Sequence, residues 1–187
     1  MNRSALLALP VLLSATLCSC RLDHDDLDVM QAGIEQRFPD VDSLPTNELA
    51  TWLAHGDSTR PELPVLLDVR ARIEFDVSHL PGARHAPTVS VALQTLHGAA
   101  VDTPIVTYCS VGYRSAVVAH ELQAQGYTRV LNLRGSLFQW ANEGRGMVND
   151  DGPVSWVHPY GSPWSGLLQE KYHWRPATEP PATGPTE

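Results

Sequence analysis

The segment with the residue types for covalent chemistry is Cys109-Ser110-Val111-Gly112-Tyr113-Arg114-Ser115. A cysteine thiolate is a strong nucleophile, and Arg114 adds a fixed positive charge near it. Gly112 can adopt the unusual backbone angle that a tight curl needs. A loop curled ahead of a helix turns several backbone N–H groups toward one point, where the helix dipole also favours negative charge. The segment therefore predicts an anion-binding loop with Cys109 as the nucleophile and residues 110–115 as substrate-binding residues. A buried structural cysteine is the alternative.

Apolar runs between chain breakers predict the elements that position this loop. Buried strands are predicted over residues 64–68, 104–108 and 130–133, and a helix from about Ser115 to Gln125. Strand, helix and strand at this spacing form a right-handed parallel βαβ unit. Ligand sites of such sheets lie beyond the carboxyl ends of the strands, which is where Cys109 stands. Upstream, Thr46 is predicted to N-cap a further helix.

The first twenty residues have the pattern of an export signal. One positive charge, Arg3, precedes the uncharged stretch Ala5–Leu17, which suits a signal peptide and is short for a membrane-spanning helix. The next residues, Leu17-Cys18-Ser19-Cys20, resemble the lipobox of bacterial lipoproteins, and Cys20 fits the lipidated position better than Cys18. This predicts a signal peptide over 1–19, a lipid on Cys20, and a chain anchored in the bacterial cell envelope and facing the periplasm. An ordinary signal peptide or a retained anchor is the alternative.

The rest of the chain divides by composition around one core, since 187 residues suffice for one domain with tails. We predict an acidic tether over 20–42, a folded domain over 43–148, an aromatic C-terminal extension over 149–175 and a disordered proline-rich tail over 176–187. Most of the aromatic residues of the extension are interpreted as cover for the core. A protein-binding surface over 153–174 is the other interpretation.

Charge and residue spacing exclude several functions. The net charge of −8 and the lack of a Lys/Arg cluster argue against a nucleic acid partner. His79, His85 and His158 lack a metal-binding spacing, so no metal site is predicted. Arg70 and Glu74, four residues apart, are predicted to form a supporting ion pair.

Four motifs in order resemble the rhodanese-like domain in its single-domain bacterial form, over about residues 43–148. They are Leu67-Asp68-Val69-Arg70 with Glu74-Phe75, then Ser78-His79-Leu80-Pro81-Gly82-Ala83, then the loop from Cys109 to Ser115, and finally Leu133-Arg134-Gly135-Ser136 with Trp140. Ser78 and Ser136 stand where that family usually has glycine. A Ser136 side chain could narrow the approach to Cys109 or donate a hydrogen bond there.

The resemblance implies an α/β fold of three layers, with a central, mostly parallel sheet flanked by helices. It also implies a sulfurtransferase in which Cys109 takes a sulfane sulfur from a donor such as thiosulfate, becomes a persulfide, and passes the sulfur to a thiol or cyanide acceptor. No cofactor is needed. A non-enzymatic persulfide carrier or partner-binding module is one alternative. A phosphatase or arsenate reductase is another, but similar loops in those enzymes place five residues between cysteine and arginine, and this loop has four.

Overall fold

A five-stranded parallel sheet forms the centre of the computed structural model, which describes residues 24–55, 62–161 and 164–176. Its strands are β1 (Asp42–Leu44), β2 (Val65–Asp68), β3 (Arg84–His85), β4 (Ile105–Tyr108) and β5 (Val130–Leu133), in the spatial order β1-β5-β4-β2-β3. The three predicted strands are confirmed as β2, β4 and β5. The sequence did not reveal β1 and β3, because three and two residues are too few to show a periodicity.

Helices cover both faces of this sheet. They are α1 (His24–Arg37), α2 (Thr46–His55), α3 (Arg72–Val77), α4 (Val89–Thr95), α5 (Tyr113–Ala124) and α6 (Ser136–Asn142). The helix predicted from about Ser115 is α5, which begins two residues earlier. Thr46 is the first residue of α2, and its hydroxyl donates to the Glu143 carboxylate at 2.7 Å, so the N-cap prediction is wrong.

The core lies in two layers, one on each face of the sheet. Successive strand residues point to opposite faces, so Leu66 of β2 and Val106 of β4 pack with α2 and α6, while Leu67 and Ile105 pack with α4 and α5. The predicted arrangement of a parallel sheet between helical layers is therefore confirmed.

The acidic tether predicted over 20–42 needs correction where the structure describes it. From His24 the segment forms α1, and its Leu27 and Ile34 side chains are buried in the domain. Gln31 is also buried, and its side-chain amide is satisfied by donating to the carbonyl of Val111 at 2.7 Å. The signal peptide and the lipidated Cys20 lie outside the described residues, as does the tail from residue 177. None of the helices in the described ranges is both long and apolar enough to cross a membrane.

The C-terminal extension packs through aliphatic side chains rather than through most of its aromatic ones. A hairpin of β6 (Met147–Asn149) and β7 (Gly152–Val154) is followed by short 3-10 turns at Trp164–Leu167 and Glu170–Tyr172. The side chains that join the core are Val157, Leu167 and Leu168. In contrast, Trp156, Tyr160 and Trp164 are 41%, 46% and 38% exposed, so the interpretation of these three as core cover is wrong. The inward-facing positions of this irregular segment are occupied by the aliphatic residues.

Candidate active site

Cys109 lies at the carboxyl end of β4, immediately before the loop that leads into α5. The residue is only 1% exposed, and its sulfur accepts a hydrogen bond from the backbone N–H of Gly112 at 3.1 Å. Gly112 has φ +106°, as predicted from the need for a tight curl. A Cβ at this position would lie 3.1 Å from the Gln31 side-chain oxygen. Position 112 therefore favours glycine because of its backbone angle, and a side chain there would also displace Gln31 slightly.

Hydrogen bonds from outside the loop hold four consecutive loop carbonyls. The backbone N–H groups of Leu137 and Phe138 donate to the carbonyls of Cys109 at 3.1 Å and Ser110 at 3.0 Å, respectively. The side-chain amide of Gln31 donates to the carbonyl of Val111 at 2.7 Å, and that of Asn132 donates to the carbonyl of Gly112 at 3.1 Å. A trans peptide holds its carbonyl and the following N–H in opposite directions. The N–H groups of residues 110–113 therefore point away from these outside partners, and that of Gly112 reaches the thiol sulfur. A backbone N–H turned toward the sulfur is one of the donors that an anion-binding loop needs.

A charged network ties the far end of the loop to α3. Arg114 donates from both terminal nitrogens to the Glu74 carboxylate at 3.0 Å, and from one of them to the Ser110 hydroxyl at 3.0 Å. The Ser110 hydroxyl in turn donates to Glu74 at 3.0 Å. Burial raises the pKa of Glu74, but the hydrogen bonds and charge of Arg114 outweigh burial and hold that pKa below its ordinary value. Burial also lowers the pKa of Arg114, and the bonds to Glu74 and the nearby Cys109 charge more than reverse this, so that its pKa is raised.

The predicted ion pair between Arg70 and Glu74 is wrong. Arg70 instead donates to Asp68 at 2.7 Å, with both side chains fully buried, and it also donates to the carbonyl of Ser78. Asp68 is the last residue of β2, and Arg70 lies close enough to bond it because the two are only two positions apart in the chain. Glu74 is thereby left to bond the loop that follows the neighbouring strand, β4. The spacing of four residues between Arg70 and Glu74 did not decide the pairing, because Glu74 pairs with the more distant Arg114 instead.

Ser136 supports the backbone of Cys109 from behind. Its hydroxyl accepts from the Cys109 N–H at 3.2 Å and donates to the carbonyl of Leu133 at 3.1 Å. The residue is fully buried and has φ +51°, in the left-handed region where the resembling family has glycine. Because the hydroxyl is engaged with backbone groups, it neither narrows the approach to Cys109 nor donates to the sulfur, and that expectation is corrected.

A cavity of about 330 Å³ opens onto the front of Cys109. The loop contributes Ser110, Val111, Tyr113 and Arg114 to its lining. The structure places the other two predicted binding residues differently. Gly112 presents its N–H to the sulfur, and Ser115 is buried behind the loop with its hydroxyl donating to Asn132 at 2.7 Å.

The remaining lining comes from four side chains that the sequence did not single out as site residues. We call them the cavity walls: Met30 and Ile34 from α1, and Tyr160 and Trp164 from the C-terminal extension. The guanidinium of Arg114 lies over the Tyr160 ring at 4.7 Å. Across the described ranges, no three histidine, cysteine, aspartate or glutamate side chains are grouped as metal ligands would be.

Comparison with known proteins matches the central part of the chain. Residues 46–143 match the family described as the rhodanese-like domain. A protein named sulfurtransferase from Allochromatium vinosum is 34% identical over 112 residues, which cover 60% of this chain and 99% of that protein. The thiosulfate sulfurtransferase GlpE of Pseudomonas fluorescens is 29% identical over 86 residues, covering 46% of this chain and 78% of that protein.

Structural comparison gives the same fold. The crystal structure of a thiosulfate sulfurtransferase from Pseudomonas aeruginosa is similar with a TM-score of 0.54 at 21% identity, over 66% of this chain and 23% of that one. The chain of that protein is much longer than this one. At this identity the likeness concerns the fold.

Proposed function

The chain belongs to the rhodanese-like domain family, and from that membership we propose that Cys109 carries a sulfane sulfur from a donor such as thiosulfate to a thiol or cyanide acceptor. Relatives named as sulfurtransferases support sulfur transfer as the general activity. One observation carries the specific proposal: the Cys109 sulfur faces a cavity while accepting a backbone N–H bond from its own loop.

In the first step the Cys109 thiolate attacks the outer sulfur of the donor. With thiosulfate, a new S–S bond forms to Cys109, the S–S bond of thiosulfate breaks, and sulfite leaves with the bonding electron pair. The terminal sulfur of the persulfide carries the remaining negative charge. In this proposal the N–H groups of residues 110–113 stabilise that charge, as an oxyanion hole stabilises an oxygen.

In the second step the acceptor attacks the terminal sulfur and Cys109 leaves as a thiolate. A thiol acceptor becomes a persulfide, and cyanide becomes thiocyanate. Splitting one displacement into two lets donor and acceptor use the same site in turn. Arg114 contributes by holding Ser110 and Glu74, which keep the loop in the conformation that presents its N–H groups.

The intact mass of the protein tests this proposal most directly. The natural chain should gain the mass of one sulfur atom after treatment with a donor and lose it on addition of cyanide. Cys109→Ser is the matched control, because serine is similar in size and cannot form a persulfide. Sulfur gained equally by the Cys109→Ser variant would contradict the role of Cys109, and efficient hydrolysis of aryl phosphates would favour the phosphatase alternative.

We also propose that the chain is a lipoprotein held at the cell envelope through Cys20 and facing the periplasm. The uncharged stretch Ala5–Leu17 and the lipobox-like Leu17-Cys18-Ser19-Cys20 support this. Metabolic labelling with a fatty acid is the test. Label should be lost in Cys20→Ala and retained in Cys18→Ala, and undiminished label in Cys20→Ala would exclude Cys20 as the acceptor.

A further inference from the structure

The cavity walls come from parts of the chain outside the family match. Met30 and Ile34 belong to α1, while Tyr160 and Trp164 lie in the C-terminal extension, and the match covers residues 46–143. The loop and its share of the cavity lining therefore lie within the matched domain, whereas the four cavity walls lie on two segments outside it. These added segments are where this chain can select its own substrate.

The Arg114 guanidinium and the Ser110 hydroxyl, which line the cavity, are already paired. Both terminal nitrogens of Arg114 donate to Glu74, so the two charges offset each other next to the cavity. The Ser110 hydroxyl also donates to Glu74. One face of the Arg114 guanidinium lies against the Tyr160 ring. A small anion such as thiosulfate would find no uncompensated cation on these side chains.

The walls instead offer contact to an apolar group. A thioether, a branched alkyl side chain and two aromatic rings face a space of about 330 Å³. That volume is near the lower end of the roughly 300–1,000 Å³ typical of small-molecule pockets. It suits a substrate of about one ring attached to the reacting sulfur. Two of the walls, Tyr160 and Trp164, are partly exposed, so a substrate would remove them from water on binding.

Building on the proposed sulfur transfer, we propose that the preferred donors are small organic sulfane-sulfur compounds with an aryl or branched alkyl group. That group would lie between the α1 walls and the aromatic walls while its outer sulfur meets Cys109. An organic thiosulfonate illustrates the balance. Its outer sulfur bonds to the Cys109 thiolate, its S–S bond breaks, and an organic sulfinate leaves with the electron pair and one negative charge. No oxidant or reductant is needed.

Two thiosulfonates with the same reacting group and charge test the proposal. Benzenethiosulfonate and methanethiosulfonate differ in the apolar group, and each is offered to the full chain with cyanide as the acceptor. The natural protein should use the phenyl compound with a kcat/KM at least about tenfold above that for the methyl compound, because burial of a ring in an apolar pocket is worth that much. The ratio between the two donors is the measured quantity.

Variants of the walls identify where the preference comes from. Trp164→Ala removes an aromatic wall, and Met30→Gln keeps the length of the α1 wall while making it polar. Each should lower the phenyl-to-methyl ratio by about three- to tenfold. Trp156→Ala is the matched control, since Trp156 is a similarly exposed tryptophan of the same extension that does not line this cavity. It should leave the ratio unchanged.

The outcomes separate this inference from the proposed function. Cys109-dependent transfer from both donors at equal kcat/KM would overturn the apolar-donor proposal and leave sulfur transfer standing. A phenyl preference that survives both wall variants, or falls equally in Trp156→Ala, would also overturn it. Transfer from neither donor nor from thiosulfate would overturn the proposed function together with this inference.

Discussion

The loop around Cys109 and the cavity walls opposite it are built by different forces. In the loop, Cys109 and Ser110 are buried, four carbonyls accept hydrogen bonds from groups outside the loop, and Arg114 is paired with Glu74. The walls are apolar, and Tyr160 and Trp164 are 46% and 38% exposed. Hydrogen bonds specify direction, whereas apolar contacts specify only area and shape. The difference teaches that the reacting atom can be held in place by one part of the chain while another part varies to suit the substrate.

The largest effect should come from the reacting atom of the loop. Cys109→Ser should lower sulfur transfer by at least about a thousandfold, because the hydroxyl cannot form the persulfide intermediate. The thermal unfolding midpoint should stay close to that of the natural chain. If Cys109→Ser retained a tenth of the turnover, the nucleophile would have to be another residue. The loop would then not be the part of the chain that holds the reacting atom.

Removing the charge of Glu74 should have the next largest effect. Glu74→Gln should lower the free energy of unfolding by about 2–4 kcal/mol, because it leaves Arg114 and Ser110 without their carboxylate partner in a largely buried site. Denaturant unfolding measures the change. Asp76→Asn on the same helix is the matched control, since Asp76 pairs with Arg72 at an exposed site and should change stability by less than about 1 kcal/mol. Equal effects of the two variants would show that the network does not stabilise the loop.

The same carboxylate predicts a dependence on pH. Its pKa in the folded protein lies below the ordinary value of 4.5, so its contribution to stability is complete above that value and is lost as pH falls through the lowered pKa. Arg114 stays charged over this range, since its pKa is raised. Denaturant unfolding at about pH 6 and about pH 3 should show a larger loss for the natural chain than for Glu74→Gln. Parallel losses in both proteins would remove Glu74 as a cause.

Position 136 should show a smaller effect that depends on the replacement. Glycine relieves the strain of the left-handed backbone angle but loses the hydrogen bonds of the hydroxyl. The free energy of unfolding of Ser136→Gly should therefore lie within about 1 kcal/mol of that of the natural chain. Alanine loses the same bonds and keeps the strain, so Ser136→Ala should be about 1–2 kcal/mol less stable than Ser136→Gly. Thermal or denaturant unfolding decides between them. An alanine variant as stable as the glycine variant would show that the backbone angle is not strained.

The smallest change in stability should come from the walls. Tyr160 has φ +65°, and its ring lies under the Arg114 guanidinium. Tyr160→Gly relieves the backbone strain, which stabilises, and loses the ring contact, which destabilises, and each effect is worth about 1 kcal/mol. The two effects oppose each other, so the free energy of unfolding should change by less than about 1 kcal/mol. A loss of unfolding free energy similar to that of Glu74→Gln would show that Tyr160 stabilises the fold as strongly as the loop network does. The loop and the walls would then not differ in this respect.

Three of the five strands and the nucleophilic loop were predictable because their signals are local. A short apolar run before Cys109, a glycine at position 112 and a helix directly after the loop suffice to place a buried strand and a curled loop. Ser115 and Asn132 bond each other behind the loop, and a polar residue within the apolar run 130–133 was a signal that could have been used.

The walls and the supports of the loop were not predictable for a physical reason. In α1, four of the fourteen residues are acidic, and its buried face is marked only by Leu27, Ile34 and the amide of Gln31. Glu74 had a plausible local partner four residues away, and its true partner lies 40 residues further along the chain. Tertiary contacts of this kind leave no periodic trace in the sequence. The irregular extension likewise gives no pattern that separates Tyr160 from its neighbours.

The distant partners of the loop have a consequence for the order of events during synthesis. Val111 is hydrogen-bonded to Gln31, 80 positions before it, and Ser110 to Glu74, 36 positions before it. Cys109 is hydrogen-bonded to Ser136, 27 positions after it. Contacts across such separations form late, because long stretches of chain must close first. A nascent chain that has emerged only as far as Arg114 still lacks β5 and α6, and its cysteine is an ordinary thiol. Cys109 becomes a directed nucleophile only when β5 and α6 have folded onto the rest of the domain.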